Sequence, residues 1–158
     1  MTAASEPTAR TKEANAAVGS ALPFDDTQDF EDAKRGFIAT LDEFPDVLPN
    51  GAPVWSLAKF DFLKSDDVPD TVNPSLWRQA QLNLVNGLFE VVPGVYQVRG
   101  FDLSNITFVE GETGVIAIDP LITPEMASHA WELYRRERGS ARWSRSSTRT
   151  ATSTTTAA

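Results

Sequence analysis

Histidine and cysteine, the side chains that most often act as metal ligands or nucleophiles, are scarce in this chain of 158 residues. There is no cysteine and a single histidine, His129. The chain by itself therefore has no multi-histidine metal site and no thiolate chemistry. A Ser–His arrangement would have to use His129, which stands in a predicted helix between Ser128 and Ala130. We expect it to be a surface or partly packed side chain rather than a ligand.

The run Asp102-Leu103-Ser104-Asn105 holds two other side chains with binding chemistry. A loop that carries the Asp102 carboxylate and the Asn105 amide could line a pocket. Side chains of these types more often cap or turn their own backbone, because their short polar groups reach neighbouring N–H groups. We favour the capping interpretation and keep both residues as candidates that support a site.

The elements that would position these residues are predicted from hydrophobic periodicity. Helical spacing predicts a first helix after Thr27, a second from Asn73-Pro74 to a C-cap at Gly87, and a last one from Thr123-Pro124. Alternating apolar residues predict two strand pairs between the last two helices, the first joined by Pro93-Gly94. This order is typical of an α+β protein. The first helix is predicted over 28–41, an irregular segment over 52–73, strands over 88–92, 95–98, 106–109 and 115–118, and a hairpin loop over 110–114.

Composition limits the partners of the chain. A formal net charge of -8 provides no basic surface for nucleic acid or anionic lipid. No apolar run approaches the length of a membrane span, and residues 1–22 lack the apolar core of a secretory signal. We therefore expect a cytoplasmic protein, with a secreted or periplasmic location as the alternative, and no nucleic-acid or membrane partner. Residues 1–22 are also poor in large apolar side chains, which predicts a disordered lead.

Two long runs carry a resemblance to a known family. N-P-S-L-W-R-Q-A-Q-L-N begins at Asn73, and Y-Q-V-R-G-F-D-L-S-N ends at Asn105. Both resemble the region ahead of the active site in the alkyl sulfatases of the metallo-β-lactamase superfamily. The resemblance covers roughly residues 25–139 and is strongest over 73–121. It implies that residues 23–139 are the N-terminal helices and the first antiparallel strands of an incomplete metallo-β-lactamase αββα fold, in the α+β class.

The resemblance also implies an activity, a cofactor and a role for Asp119. Full-length members hydrolyse sulfate esters of primary long-chain alcohols such as dodecyl sulfate, and they commonly form homodimers. A T-H-S-H-x-D-H motif there supplies ligands to two zinc ions, and it is not found after Gly139 in this chain. We therefore expect this chain to bind no zinc and to be inactive as it stands. Asp119 matches the aspartate that ends an early strand and supports the site, although a plain turn residue beside Pro120 is an equally good interpretation.

Residues 140–158 differ in character from the rest. From Ala141 onward there is no Val, Ile, Leu or Phe and no acidic residue. A disordered Ser/Thr-rich tail is the ordinary interpretation of such a segment. When the third base of each codon is read with the first two bases of the next, however, these residues permit P-V-V-A-V-V-Y-T-H-S-H-V-D-H-Y-G-G. This string contains the missing motif, so we interpret 140–158 as an unstructured tail that is read out of frame.

Two other functions are compatible with these residues. A non-catalytic binding or regulatory fragment would keep this part of the fold, and it would have to fold alone. Another hydrolase of the metallo-β-lactamase superfamily would share the strands, but most members lack the leading helices and the D-L-S-N run. Our main expectation is a fragment of a zinc-dependent alkyl sulfatase.

Overall fold

The computed structural model describes residues 6–65 and 67–139, so the predicted tail lies outside the described residues. Two compact units are present, one from the residues up to Arg35 with Ser56–Val85, the other from Gly36–Trp55 with the residues from Asn86 onward. In this part of the chain no helix has the length and apolar character needed to cross a membrane. The elements are α1 (Ala9–Ala21), α2 (Gln28–Lys34), β1 (Phe37–Ala39), a 3₁₀ helix (Ala58–Lys64), α3 (Pro74–Leu82), β2 (Gly87–Val92), β3 (Val95–Arg99), β4 (Ile106–Glu110), β5 (Val115–Ile118) and α4 (Pro124–Arg138).

Helix α1 lies where the sequence predicted a disordered lead. The Thr8 side chain accepts a hydrogen bond from Thr11 N and caps the helix, and the alanine-rich segment behind it has a high helix propensity. Asn15 Nδ2 also donates to Asp70 O at 2.7 Å, which ties the helix to its own unit. The prediction is therefore wrong for Ala9–Ala21, because small residues with a good cap form a helix without large apolar side chains.

Helix α2 ends earlier than predicted. It stops two residues before Gly36, whose φ of 74° is in the left-handed region. A Cβ at Gly36 would lie 2.1 Å from the backbone oxygen of Glu90, so this close approach requires glycine. The chain then enters β1, where Phe37 pairs with Phe89 of β2. The single helix predicted over 28–41 is therefore wrong beyond this glycine, where the apolar residues belong to a strand.

Helix α3 begins where predicted but ends sooner. The Asn73 side chain accepts a hydrogen bond from Ser75 N at 2.9 Å, which is the expected N-cap. The helix stops at Leu82, and Gly87 opens β2 with a φ of 125° instead of capping the helix. A Cβ at Gly87 would lie 2.4 Å from Ala39 O, so this glycine serves the approach of β1 to β2. The segment predicted to be irregular contains the 3₁₀ helix.

Arg78 of α3 holds the N-terminal unit together. Its guanidinium donates to both carboxylate oxygens of Asp29, at 2.7 and 2.6 Å, and to Phe24 O at 2.8 Å. It also donates to Asp26 O and lies over the ring of Phe30 at 5.1 Å. The hydrogen bonds and the positive charge of Arg78 lower the pKa of the Asp29 carboxyl. Arg78 therefore has a structural role within its own unit.

The second unit is built on a five-stranded antiparallel sheet with the strands in sequence order, β1 to β5. The four predicted strands are β2 to β5, and the α+β class is confirmed. Because alternate residues of a strand face opposite sides, one face of the sheet packs against α4 and forms the core. Helix α4 begins at the predicted cap, Thr123, whose side chain accepts from Met126 N. The buried cluster consists of Leu88, Tyr96, Val98, Phe101, Ile106, Phe108, Val115, Ala117, Ala130, Leu133 and Tyr134.

The face of the sheet opposite α4 is called the open face below. Cross-strand pairs place Phe89, Gln97, Thr107 and Ile118 on it in one row. Ile118 is 44% exposed, and Ile116, two residues earlier, is 41% exposed. β5 is also the edge strand, since β4 is its sole strand neighbour among the described residues. Phe89, by contrast, is buried. The β5 side of the open face and the outer edge of β5 are therefore not covered by the described residues.

Candidate functional site

The three candidates from the sequence lie at one end of the sheet, called the site end. Asn105 directly precedes β4 and Asp119 directly follows β5. The pair Thr107–Ile118 places the start of β4 beside the end of β5, so both residues lie at the same end of the hairpin. Asp102 belongs to the loop that leads into β4. Antiparallel pairing therefore brings together residues that are separated in sequence.

Asp102 joins two loops at the site end. It is 9% exposed, and its Oδ1 accepts hydrogen bonds from Ser104 N at 2.7 Å and from the Ser104 hydroxyl at 3.1 Å. Its Oδ2 accepts from Ile122 N at 2.6 Å, across a separation of 20 residues. Both oxygens are thus used by the protein itself. These are the hydrogen bonds of a backbone cap, as the favoured interpretation of Asp102 predicts.

Asp119 and Asn105 are exposed, and within residues 6–65 and 67–139 neither side chain forms a hydrogen bond or an ion pair. Asp119 has a φ of 56° and Leu121 a φ of 68°. Left-handed conformations of residues other than glycine cost about 1–3 kcal/mol and concentrate at functional sites. The Asp102 bond to Ile122 holds this turn from the other side. The turn therefore presents the Asp119 carboxylate to solvent at the end of β5.

Arg99, the last residue of β3, was not identified from the sequence. Its guanidinium lies over the ring of Phe89 at 4.5 Å, and its Nε donates to Gln97 Oε1 at 2.7 Å. Gln97 Nε2 in turn donates to Thr107 Oγ1 at 3.1 Å. Burial lowers the pKa of Arg99 from its ordinary value. The signal in the sequence was the alternation of polar residues in β3, which places Gln97 and Arg99 on the open face.

Gly100 fixes the direction of the chain after Arg99. Its φ is 75°, and a Cβ there would lie 2.5 Å from the Cβ of Asn86. Its carbonyl accepts a hydrogen bond from Trp55 Nε1 at 2.9 Å. A side chain at this position would push the end of β3 away from its neighbour, so the glycine determines where Arg99 stands.

His129 is partly packed in α4, as predicted. Its side chain is 20% exposed and its Nε2 contacts Asp46 Oδ2. The ring of Phe44 packs against the imidazole edge-on, with centroids 5.7 Å apart. Asp46 was not predicted as the partner, because 83 positions separate the two residues. The pair fastens the segment after β1 to α4.

The described residues do not fit a zinc site. No group of three or more His, Cys, Asp or Glu residues in the described part of the chain is arranged to hold a metal ion. At the site end, both oxygens of Asp102 already accept hydrogen bonds from the protein, which leaves the carboxylate of Asp119. One carboxylate is too few for a protein zinc site, which uses three or four ligands.

No protein-family model matches the chain. Comparison with known proteins, however, finds relatives that are named as sulfatases. An alkyl/aryl-sulfatase from Saccharomyces cerevisiae is 48% identical over 128 residues, which are 81% of this chain and 20% of the relative. A linear primary-alkylsulfatase from Pseudomonas sp is 50% identical over 129 residues, 81% of this chain and 19% of the relative. An (R)-specific secondary-alkylsulfatase from Pseudomonas sp is 50% identical over 126 residues, 78% of this chain and 19% of the relative.

A solved structure shares the fold. The stereoselective inverting sec-alkylsulfatase Pisa1 from Pseudomonas sp. superposes with a TM-score of 0.77 and 47% sequence identity. The match covers 87% of this chain and 22% of that chain. This chain thus spans about a fifth of the length of the curated relatives that it matches. Identity near one half across most of the chain, with a shared fold, means that the chain is homologous to a part, about a fifth, of the alkylsulfatases.

Proposed function

We propose that this chain is part of a zinc-dependent alkylsulfatase that hydrolyses primary alkyl sulfates, with dodecyl sulfate as the type substrate. The observation that carries the proposal is the identity of 48% to 50% with three sulfatases over about four fifths of the chain. In the reaction, water and the sulfate ester give the alcohol and hydrogensulfate. The names of the relatives include primary and secondary alkylsulfatases, so the substrate class is part of what the experiment must test.

In such an enzyme, this chain would contribute part of the sheet and the loops at the site end. The antiparallel sheet brings Asn105 and Asp119 to the site end, and Asp102 ties the two loops there. Zinc, when bound to the intact enzyme, would polarise an oxygen and supply hydroxide near neutral pH. No group of three or more His, Cys, Asp or Glu residues in the described ranges is arranged as a metal site, which supports a zinc site built by other parts of the intact enzyme. We therefore propose that the 158-residue chain is inactive by itself and that residues 140–158 are translated out of frame from a T-H-S-H-V-D-H motif.

Sequencing the DNA across codons 138–158 tests the frameshift. The expected result is that the shifted frame spells the strand and the motif. If the bases after codon 140 do not encode T-H-S-H-V-D-H in that frame, this part of the proposal fails.

An activity assay tests the reaction and the substrate class. The frame-restored gene, continued through its downstream sequence, should give a product that releases sulfate from dodecyl sulfate, and a zinc chelator should abolish the release. The 158-residue chain, purified in parallel, should release none. A secondary alkyl sulfate of the same carbon number serves as the matched substrate. Faster hydrolysis of the secondary ester would contradict the primary specificity, and hydrolysis of neither ester would contradict the function.

A further inference from the structure

Glycine occupies all but two of the positions at which the described backbone has a positive φ angle. The two exceptions are Asp119, with a φ of 56°, and Leu121, with a φ of 68°. They flank Pro120, and Leu121 N donates to Asp119 O at 2.8 Å, so these three residues form one tight turn, called the Asp119 turn below. Residues with a Cβ are strained in this conformation. The strain of this kind in the described residues is therefore concentrated at the connection between β5 and α4.

The Asp102 carboxylate fixes the chain directly after the Asp119 turn. Its Oδ2 accepts from Ile122 N at 2.6 Å, and its Oδ1 accepts from Ser104 N at 2.7 Å. We call these two hydrogen bonds the Asp102 clamp. The Asp102 side chain is buried, so it cannot turn away without leaving both donors unpaired. Within the turn, Leu121 packs against the buried cluster of the sheet. Strained backbone persists where the surrounding structure fixes it, and these contacts do so.

The Asp119 side chain takes no part in these contacts. It is exposed, and it forms no hydrogen bond or ion pair within residues 6–65 and 67–139. Core packing explains why position 121 holds a leucine in spite of the strain. No contact within the described ranges explains in the same way why position 119 holds an aspartate where a glycine would be unstrained. The turn therefore gives a carboxylate without a structural partner a fixed place at the site end.

We propose that Asp102 is a positioning residue of the sulfatase reaction, and that it acts through the Asp119 turn by keeping the Asp119 carboxylate in place. This inference rests on the proposed function for the reaction, whereas the clamp itself rests on the hydrogen bonds of Asp102. Asp102 does not bind the substrate, because both of its oxygens accept hydrogen bonds from the protein. Loss of the clamp lets the turn relax and moves the carboxylate. A misplacement of about 1 Å at a site can lower a rate about a hundredfold.

Hydrogen exchange in the 158-residue chain tests the clamp. Asp102→Asn keeps the size of the side chain but replaces one acceptor oxygen by an amide donor. The backbone amide of Ile122 should then exchange about tenfold faster or more, because a hydrogen bond to a charged group is lost. Leu103→Ala, at a neighbouring position that is 83% exposed, is the matched control and should leave this amide unchanged. Unchanged exchange at Ile122 in Asp102→Asn would overturn the clamp and the proposal with it.

Kinetics of the frame-restored enzyme test the positioning role. Asp102→Asn should lower kcat for the alkyl sulfate about tenfold or more and should change KM less, because it disturbs the placement of a group and removes no contact with the substrate. Tyr134→Phe removes a hydrogen bond to Glu110 at the opposite end of β4. It controls for a general loss of stability and should keep kcat. Equal losses of kcat in the two variants would overturn the positioning role.

A double variant tests whether Asp102 acts through Asp119. Asp119→Ala should lower kcat more than Asp102→Asn does, since it removes the carboxylate instead of displacing it. Addition of Asp102→Asn to Asp119→Ala should then change kcat by less than about twofold, because the group that Asp102 positions is gone. Losses that multiply in the double variant would overturn the inference, as would an unchanged kcat in Asp119→Ala.

The two kinds of measurement separate this inference from the proposed function. Faster exchange at Ile122 in Asp102→Asn, together with a frame-restored protein that hydrolyses no alkyl sulfate, would leave the clamp standing and reject the function. Sulfatase activity with an unchanged kcat in Asp102→Asn would leave the function standing and reject the positioning role.

Discussion

The two ends of the β4–β5 hairpin differ in how their polar groups are satisfied. At the loop end, Glu110 accepts hydrogen bonds from the Tyr134 hydroxyl at 2.8 Å and from Arg138 Nε at 3.2 Å. Arg138 also lies over the ring of Tyr96 at 4.4 Å. The Glu110 carboxylate therefore contacts both the Tyr134 hydroxyl and the Arg138 guanidinium, and these contacts connect the end of α4 to the sheet.

At the site end, the side chains of Arg99, Asn105 and Asp119 do not pair with one another in the described part of the chain. Arg99 has a ring and an amide as neighbours but no acid, and Asn105 and Asp119 have no side-chain partner within the described ranges. Folding alone does not require such an arrangement, since the loop end shows that this chain can pair its charges. The loop end is therefore closed by its own contacts, whereas the described residues do not pair the polar groups of Asn105 and Asp119 at the site end.

Truncation of Tyr134 should have the largest effect on stability, because Tyr134 is the central residue of the contacts at the loop end. Tyr134 is fully buried and its ring stacks on Phe108 with centroids 4.4 Å apart. Tyr134→Ala should lower the free energy of unfolding by about 3–5 kcal/mol, measured by urea denaturation. Tyr134→Phe removes the hydroxyl alone and should cost about 1 kcal/mol. Equal free energies of unfolding for the two variants would mean that the buried ring of Tyr134 does not stabilise the loop end.

Removal of the Asp102 carboxylate should have the next largest effect on stability. Both of its oxygens accept hydrogen bonds from the loops at the site end. Asp102→Ala leaves the N–H groups of Ser104 and Ile122 without their acceptor and should cost about 2 kcal/mol. Hydrogen exchange at the Ile122 amide should accelerate. Leu103→Ala, at a neighbouring position that is 83% exposed, is the control and should change neither quantity measurably.

The third effect is confined to acid. Burial acts to raise the pKa of Glu110, but the hydrogen bonds from Arg138 and Tyr134 and the charge of Arg138 outweigh it, so that the pKa lies below its ordinary value of 4.5. A lowered pKa contributes stability that is present above pH 4.5 and is lost as the pH falls through the folded value. Glu110→Gln should therefore be less stable than wild type at pH 7 and should lose less stability between pH 7 and acid.

Acid unfolding curves measure this difference. Glu112→Gln changes an acid in the exposed hairpin loop and is the matched control, which should follow the wild-type curve. Parallel curves for wild type and Glu110→Gln would mean that Glu110 at the loop end does not contribute to the pH dependence of stability.

The smallest effect on stability is expected at Asp119, whose side chain supports nothing else in the described chain. Asp119→Gly removes the strain of a φ of 56° and should leave stability unchanged or raise it by up to ~1 kcal/mol. Asp119→Asn keeps the side-chain size and should stay within about 0.5 kcal/mol of wild type. Thermal denaturation measures both. If Asp119→Gly is clearly destabilised, the carboxylate has a structural role, and the site end is less open than proposed.

The strands could be predicted because their signals are local. Alternation in β2 to β5, the Pro93-Gly94 turn and the caps at Asn73 and Thr123 each lie within a few residues. Strand β1 was missed because three apolar residues after Gly36 fit a helix equally well until β2 is present to pair with them. Local pattern cannot distinguish these cases, since the pairing partner lies about fifty positions away in the chain.

At the candidate site, likewise, local contacts could be predicted and contacts between distant residues could not. The capping chemistry of Asp102 follows from its residue type and its nearest neighbours. Arg99 was missed because its contact with the Phe89 ring depends on the register of β2 and β3, which a local pattern does not reveal. The pairing of His129 with Asp46 is likewise non-local, with 83 positions between the two residues.

The described residues leave the outer edge of β5 uncovered, so the association of this chain with itself should depend on its concentration. The backbone donors and acceptors of this edge can pair with the same edge of another molecule, and the strand Val115–Ile118 has no charged residue or proline to hinder this. At high dilution each edge meets water. At the concentrations used for spectroscopy or crystallisation it meets other edges, and the resulting aggregates would lower the number of sites available to a ligand. Dilution series therefore belong at the start of any titration of this chain.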